Sequence, residues 1–127
     1  MIADTNPWAA AARQVAALGH RRAGSADPPV NPEVIADALW ALVWLAGERV
    51  APPHQILAAA EGSVHFHWHN GQDGFEVRVV APGRLSWRAA GGTDDGKQAG
   101  RKLDRDAAGL LRSLIPLTRP YRGERSS

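Results

Sequence analysis

The clearest pattern in the chain is a change of period near Gly62, after which apolar and polar residues alternate one by one. Three successive runs show this alternation, and they begin at Val64, Phe75 and Leu85. Because neighbouring side chains of a strand point to opposite faces, a period of two predicts three strands, each with one apolar face. We therefore expect an antiparallel β-meander from about Val64 to Ala90.

Placing every apolar residue of the meander on one face determines which residues lie opposite each other. The predicted pairs are Trp68 with Phe75, Phe66 with Val77 and Val64 with Val79 in the first hairpin, and Val79 with Leu85 and Val77 with Trp87 in the second. The connecting loops are then residues 70–73 and 81–83. The first loop contains Asn70 and Gly71 and the second Pro82 and Gly83, which are residue types that tight turns favour.

Three segments outside the meander have the spacing of helices. Each begins with a residue whose side chain can accept hydrogen bonds from free backbone N–H groups, namely Asn6, Asn31 and Asp104. A proline follows each asparagine, at the first helical position, where its missing N–H costs nothing. The expected helices cover residues 7–18, 32–46 and 105–115.

The second predicted helix is apolar on nearly all sides after Asp37. Its expected core face consists of Ile35, Leu39, Leu42, Val43 and Ala46. Trp40 and Trp44 lie one turn apart on an adjoining face. A helix that is apolar all round must be covered on more than one side, either by the sheet and another helix or by a partner. Trp40 and Trp44 therefore belong to the core or, if they are exposed, are candidate residues for binding a partner protein or a second copy of the chain.

Two segments each fit more than one kind of secondary structure. Residues 55–60 follow two prolines and fit a short helix or an edge strand, and residues 97–103 fit a fourth, weak edge strand or a loop. The sequence thus predicts an α+β fold with two N-terminal helices, a three- to four-stranded antiparallel β-meander and a C-terminal helix. We expect one domain over residues 1–117 and a flexible basic tail at 118–127.

Length and composition indicate the number of domains and the cellular compartment. A chain of 127 residues suits one hydrophobic core, and the absence of cysteine excludes disulfides and fits a reducing compartment. The first residues show no signal peptide, and the longest apolar run, residues 38–46, is too short to cross a bilayer. We therefore expect a cytoplasmic protein that does not enter a membrane.

The net charge is only +2, but basic residues gather near the C-terminus. From Lys97 onward the chain has eight lysines and arginines against three acids. No aromatic and basic RNA-binding motif accompanies them, so a solvated tail is the first interpretation and weak nucleic-acid binding is the alternative.

Three histidines, His65, His67 and His69, share the polar face of the first meander strand. Alternate residues of a strand lie about 6.6–7 Å apart, so two neighbouring imidazoles can share a metal ion and the outer two cannot. The predicted register adds Glu76 opposite His67, which makes a site of His65, His67 and Glu76 possible.

The same register gives this polar face a second interpretation. It places Arg78 opposite His65, where its charge would repel a cation, and Arg88 opposite Glu76. The face is then a solvated surface on which His67, Glu76, Arg78 and Arg88 are candidate contacts for a partner protein. The sequence leaves both interpretations open.

Other motifs with a known chemistry are missing from the sequence. Its glycines form no phosphate-binding loop, and no serine lies in a nucleophile elbow. His54, Asp37 and Ser63 have no spacing that links them into a triad. We therefore expect no cofactor and no catalytic residues.

About half of the chain, from Val30 to Trp87, resembles a widespread group of small, largely uncharacterised bacterial proteins. The pattern is an amphipathic helix, a proline-rich step and a hairpin of the form "dG-v-leW … lEiev". The segments that match are Asn31-Pro32-Glu33-Val34-Ile35 with Ala38-Leu39, Pro52-Pro53, Glu61-Gly62-Ser63-Val64, Phe66-His67-Trp68 and Phe75-Glu76-Val77-Arg78-Val79. The resemblance implies the same fold, no catalytic residues, and a role as partner of another gene product.

The leading functional hypothesis is a non-enzymatic protein-interaction module, such as an accessory, antitoxin-like or immunity-like partner of another bacterial protein. The alternatives are a metal-binding protein or metal-dependent enzyme that uses His65, His67 and Glu76, and a weak nucleic-acid binder that uses the basic C-terminal segment.

Overall fold

The fold was obtained as a computed structural model, which describes residues 6–19, 30–59, 61–90 and 98–116. Within these ranges the chain forms three helices and five strands. The helices are α1 (Pro7–Ala17), α2 (Pro32–Gly47) and α3 (Arg105–Leu114), and the strands are β1 (Gln55–Ala58), β2 (Val64–Asn70), β3 (Asp73–Ala81), β4 (Arg84–Ala90) and β5 (Gln98–Gly100). The predicted α+β fold is confirmed, and the predicted tail at 118–127 lies outside the described residues.

The sheet is an antiparallel meander in which the strands lie in chain order from β1 to β5. All five residue pairs predicted from the alternation are present between β2, β3 and β4. The sheet has five strands rather than three or four because both open segments pair at its edges. Residues 55–58 pair with β2, and residues 98–100 pair with β4.

Both turns of the meander are tighter than predicted. Asn70 pairs with Asp73, which leaves a two-residue turn whose Gly71 has the positive φ of 66° that glycine tolerates best. Ala81 pairs with Arg84 in the same way, and the register shifts between Val79 and Ala81, so the extra residue forms a bulge in the strand. The predicted loop 70–73 therefore loses Asn70 and Asp73 to the strands, and the predicted loop 81–83 loses Ala81.

The core lies between the apolar face of the sheet and helices α2 and α3, and α1 packs against α2 and the edge strand β1. Trp68 is 1% exposed, and its indole nitrogen donates a 2.8 Å hydrogen bond to the Ala51 carbonyl. Phe75 meets Trp68 edge to face and stacks on Trp87, with ring centres 5.7 and 5.4 Å away. These aromatic side chains supply the apolar bulk that the many alanines cannot.

The buried face of α2 differs from the predicted one. Its buried residues are Val34, Ala38, Ala41, Leu42 and Leu45, whereas the predicted core residues Val43 and Ala46 are exposed. The helix is apolar on nearly all sides, so the spacing alone does not fix its rotation, and the fold buries Val34 and Leu45 together with two alanines. The helix therefore turns Val43 outward, beside Trp40.

The second face of the sheet carries the histidines of β2 and is partly exposed to solvent. An antiparallel sheet can leave one face in water in this way. None of the helices in the described ranges is long and apolar enough to cross a membrane.

Two glycine substitutions test the close packing of the edge strand β5. A Cβ at Gly100 would lie 2.5 Å from the indole nitrogen of Trp87, whereas a Cβ at Gly47 would meet no atom within 4 Å. We expect Gly100→Ala to lower the free energy of unfolding by about 1–3 kcal/mol. Gly47→Ala should raise it, by up to about 1 kcal/mol, because alanine favours the helix. Urea denaturation of the two variants measures both effects, and an equal loss in both would contradict this packing.

Candidate functional site

The histidine-bearing face of the sheet brings together the polar residues that the register predicted. His67 lies opposite Glu76, Glu76 opposite Arg88, and His65 opposite Arg78. This arrangement follows from the alternation, because burial of the apolar residues of β2, β3 and β4 on one face leaves their polar neighbours side by side on the other.

Glu76 is the centre of this group. Its Oε2 atom lies 3.3 Å from His67 Nε2, 3.7 Å from His65 Nδ1 and 3.4 Å from Arg78 Nε. Its Oε1 atom accepts a 2.9 Å hydrogen bond from Arg88. The Glu76 side chain is 13% exposed, so four cationic or cation-forming groups surround a largely buried carboxylate. We refer to His65, His67, Glu76, Arg78 and Arg88 as the Glu76 cluster.

A hydrogen-bond chain that the sequence analysis missed supports one side of the Glu76 cluster. Ser63, which is buried, donates to a Glu61 carboxylate oxygen at 2.9 Å, and its hydroxyl oxygen lies 2.8 Å from His65 Nε2. The signal was present, because Glu61 and Ser63 continue the odd-numbered run of His65, His67 and His69 backwards along the chain. The sequence does not show the hydrogen bond itself, because it depends on where the side chains of Ser63 and His65 point.

The Ser63 hydrogen bonds assign the tautomer of neutral His65. A hydroxyl has one proton, and that of Ser63 is directed at Glu61. The oxygen must therefore accept from His65 Nε2–H, and Nδ1 is left with a free lone pair. This lone pair belongs to the His65 atom that lies beside Glu76.

The pKa values of Glu76 and His65 are both lowered in the folded protein. Burial would raise the pKa of Glu76, but the Arg88 hydrogen bond and the Arg78 charge outweigh it and hold this pKa below its usual value. Burial lowers the pKa of His65, although the charge of Glu76 partly opposes the effect. The folded protein therefore favours an ionised carboxylate beside a neutral His65.

The other two described histidines, His54 and His69, are not part of the Glu76 cluster. His69 is exposed and follows His67 on β2, and the two rings are stacked with centres 6.2 Å apart. His54 accepts a 2.9 Å hydrogen bond from the His69 backbone N–H. Asp37 accepts from Gly83 N–H at 2.8 Å, so His54, Asp37 and Ser63 have separate structural partners.

A cleft of about 420 Å³ adjoins the Glu76 cluster at the end of the sheet. His67, Glu76 and Arg88 line it together with His69 and Ala99. The cluster is thus accessible from one side, although its carboxylate is largely buried.

The two candidate tryptophans of α2 differ in how far they are exposed to solvent. Trp40 is 57% exposed and Val43, one turn further on, is 73% exposed. Trp44 is half-buried and packs against the core. Trp40 and Val43 are thus large apolar side chains that face solvent on the same side of one helix.

The basic C-terminal segment is described only in part. Arg112 of α3 donates to the Glu48 carbonyl and lies 3.9 Å from a Glu48 carboxylate oxygen, which ties α3 to the end of α2. Lys97 and the arginines at 119, 122 and 125 lie outside the described residues. The nucleic-acid alternative therefore stays a prediction.

None of the protein-family models, curated proteins or solved structures with which the chain was compared matches it. The family resemblance and the functions inferred from the sequence therefore stay predictions.

The lowered pKa values give a signed prediction for stability against pH. Where the folded pKa is below the unfolded one, the folded state binds fewer protons, so stability is present above the unfolded pKa and is lost as pH falls. His65 titrates first on acidification and Glu76 at lower pH. The free energy of unfolding should therefore fall between about pH 7.5 and pH 5.5, and it should fall less in His65→Gln.

Urea denaturation at the two pH values, with EDTA present, measures this difference. His69→Gln is the matched control, because it removes an exposed histidine from the same strand face. A His65→Gln variant with the full pH dependence of the wild type would contradict the assigned role of burial.

Proposed function

We propose that this chain is a non-enzymatic protein-interaction module, and that a second copy of the chain binds along the exposed side of α2. The observation that supports the proposal is the joint exposure of Trp40 and Val43 on one helix face. Tryptophan is enriched among the few residues that contribute most of the binding energy at protein interfaces. Neighbouring apolar side chains that are exposed together also mark surfaces that bind other proteins.

Four of the exposed residues of α2 form a continuous stripe. Ala36, Trp40, Val43 and Gly47 are all exposed, and their spacing is four, three and four residues. Alternation of three and four is the spacing at which two helices pack along each other. We call these four residues the α2 stripe, and its geometry favours a helix as the partner element.

Charges at the two ends of α2 favour an antiparallel second copy. Glu33 is exposed in the first turn, and Arg49 is exposed just after the helix. Antiparallel pairing about a two-fold axis between Trp40 and Val43 places Glu33 of each copy near Arg49 of the other. Parallel pairing would place like charges together, so the ends of the helix select the antiparallel arrangement.

This contact suits an accessory protein, of the antitoxin-like or immunity-like class, that acts through association rather than catalysis. Symmetric pairing through α2 leaves the opposite side of the molecule, with the Glu76 cluster and its cleft, free for a different contact. Trp44, which is half-buried beside the stripe, supports it from the core.

The contact predicts a dimer that one substitution removes. We expect wild-type protein to show a dimer mass by light scattering or sedimentation equilibrium as its concentration rises. Trp40→Glu should remain monomeric, because it loses at least about 2 kcal/mol of contact energy and buries a charge. Leu57→Glu is the matched control, since Leu57 is 41% exposed and lies on the opposite face of the sheet.

Charge reversal tests the antiparallel arrangement. Glu33→Arg and Arg49→Glu should each weaken the dimer, and the double variant should recover it. A wild-type chain that stays monomeric to about 1 mM, where contacts weaker than about 4 kcal/mol escape detection, would overturn the proposal. A dimer that survives Trp40→Glu would equally overturn it.

A further inference from the structure

We propose that the Glu76 cluster holds a divalent transition-metal ion of the zinc class, with His65 Nδ1, His67 Nε2 and Glu76 Oε2 as its protein ligands. One ligand atom from each of these residues lies within 4.8 Å of the other two. The site is on the sheet and away from the α2 stripe, so this inference is independent of the proposed dimer.

The distances between the candidate ligand atoms approach those of a tetrahedral site. Zinc bonds of about 2.0–2.1 Å place neighbouring ligand atoms about 3.3 Å apart. His67 Nε2 and Glu76 Oε2 are already 3.3 Å apart, and His65 Nδ1 is 3.7 Å from the same oxygen. The two imidazole nitrogens lie within 4.8 Å of each other, a separation that small side-chain rotations would reduce to about 3.3 Å.

Three electron-pair donors face each other in this group. His65 presents the lone pair of Nδ1, since its other nitrogen donates to Ser63. The Nε2 atom of His67 is buried, yet it makes no hydrogen bond to any residue that the structure describes. A buried nitrogen that makes no hydrogen bond costs free energy, and a metal ion among the three donors would offset that cost by bonding to it.

The surroundings supply the outer hydrogen bonds that metal ligands need. Ser63 orients His65 through its remote nitrogen, and Glu61 in turn orients Ser63. Arg88 holds Oε1 of Glu76, so the ligand atom is Oε2, which also accepts a 3.4 Å hydrogen bond from Arg78. Such partners fix the tautomer and the direction of a ligand, and their loss typically weakens metal binding 10- to 100-fold.

Arg78 and Arg88 oppose a cation, and this effect can be measured. Their side chains are 41% and 65% exposed, so solvent and salt screen their charges. Arg78 contacts Oε2 at 3.4 Å, and a carboxylate oxygen has a second lone pair for a metal. Removal of the Arg78 charge should therefore tighten metal binding, which a purely structural ion-pair network would not predict.

The donor set selects the class of metal. Two imidazoles and one carboxylate suit zinc and neighbouring divalent ions, and a chain without cysteine offers no thiolate for soft ions. Three protein ligands leave the fourth position of a tetrahedral ion for water or another donor.

Zinc titration of tag-free, EDTA-treated protein tests the site, by calorimetry or by competition with a chromophoric chelator. We expect one ion per chain, about 100-fold weaker binding in His67→Ala, and about 10- to 100-fold weaker binding in Ser63→Ala. Arg78→Gln should bind more tightly than the wild type. His69→Ala is the matched control and should keep wild-type affinity, because it removes a neighbouring histidine that is not a ligand.

Cobalt gives an independent spectroscopic readout. Co²⁺ bound to the wild type should show the intense visible bands of a tetrahedral ion, and Glu76→Gln should lose them while its circular dichroism stays unchanged. Zinc affinity that is the same in His67→Ala as in the wild type would overturn the proposal. A loss in His69→Ala as large as in His67→Ala would also overturn it, because it would indicate scattered surface histidines. Sedimentation in EDTA reports on the dimer separately.

Discussion

Burial of one face of the sheet is the constraint on which the rest of the structure depends. The side chains of Phe66, Trp68 and Phe75 must share the apolar side, and their packing sets the register between β2 and β3. That register carries the polar residues with it, so His67 comes to lie opposite Glu76. The Glu76 cluster is therefore positioned by the core behind it, and its precision comes from aromatic packing rather than from the weak attraction of its own charges.

The register was predictable because it has one solution in which all large side chains share a face. The rotation of α2 was not, because a helix that is apolar on every side gives no contrast from which a buried face can be identified. Its buried face includes Ala38 and Ala41, whose small size allows close packing. Sequence reasoning that weighs residues by hydrophobicity therefore selected Val43, which the fold exposes.

The candidate site was predictable in its members but not in its chemistry. The alternation places His65, His67 and Glu76 on one face, whereas the separation of their reactive atoms depends on rotamers that no spacing encodes. The role of Ser63 could also not be predicted from the sequence, because it depends on which neighbour receives the proton of its hydroxyl group. The edge strands β1 and β5 were ambiguous for a similar reason, since a short strand is stabilised by its neighbour and hardly by its own sequence.

The odd-numbered run from Glu61 to His69 has a consequence for how this surface can change during evolution. Point substitution of its exposed members, Glu61 and His69, leaves the apolar layer unchanged, because their side chains project into solvent. Insertion or deletion of one residue within β2 would instead move Phe66 and Trp68 into water and the histidines into the apolar layer. The length of this strand is therefore fixed together with the order of residues on its outer face, so relatives of this chain should conserve the spacing of the run even where the exposed residue types differ.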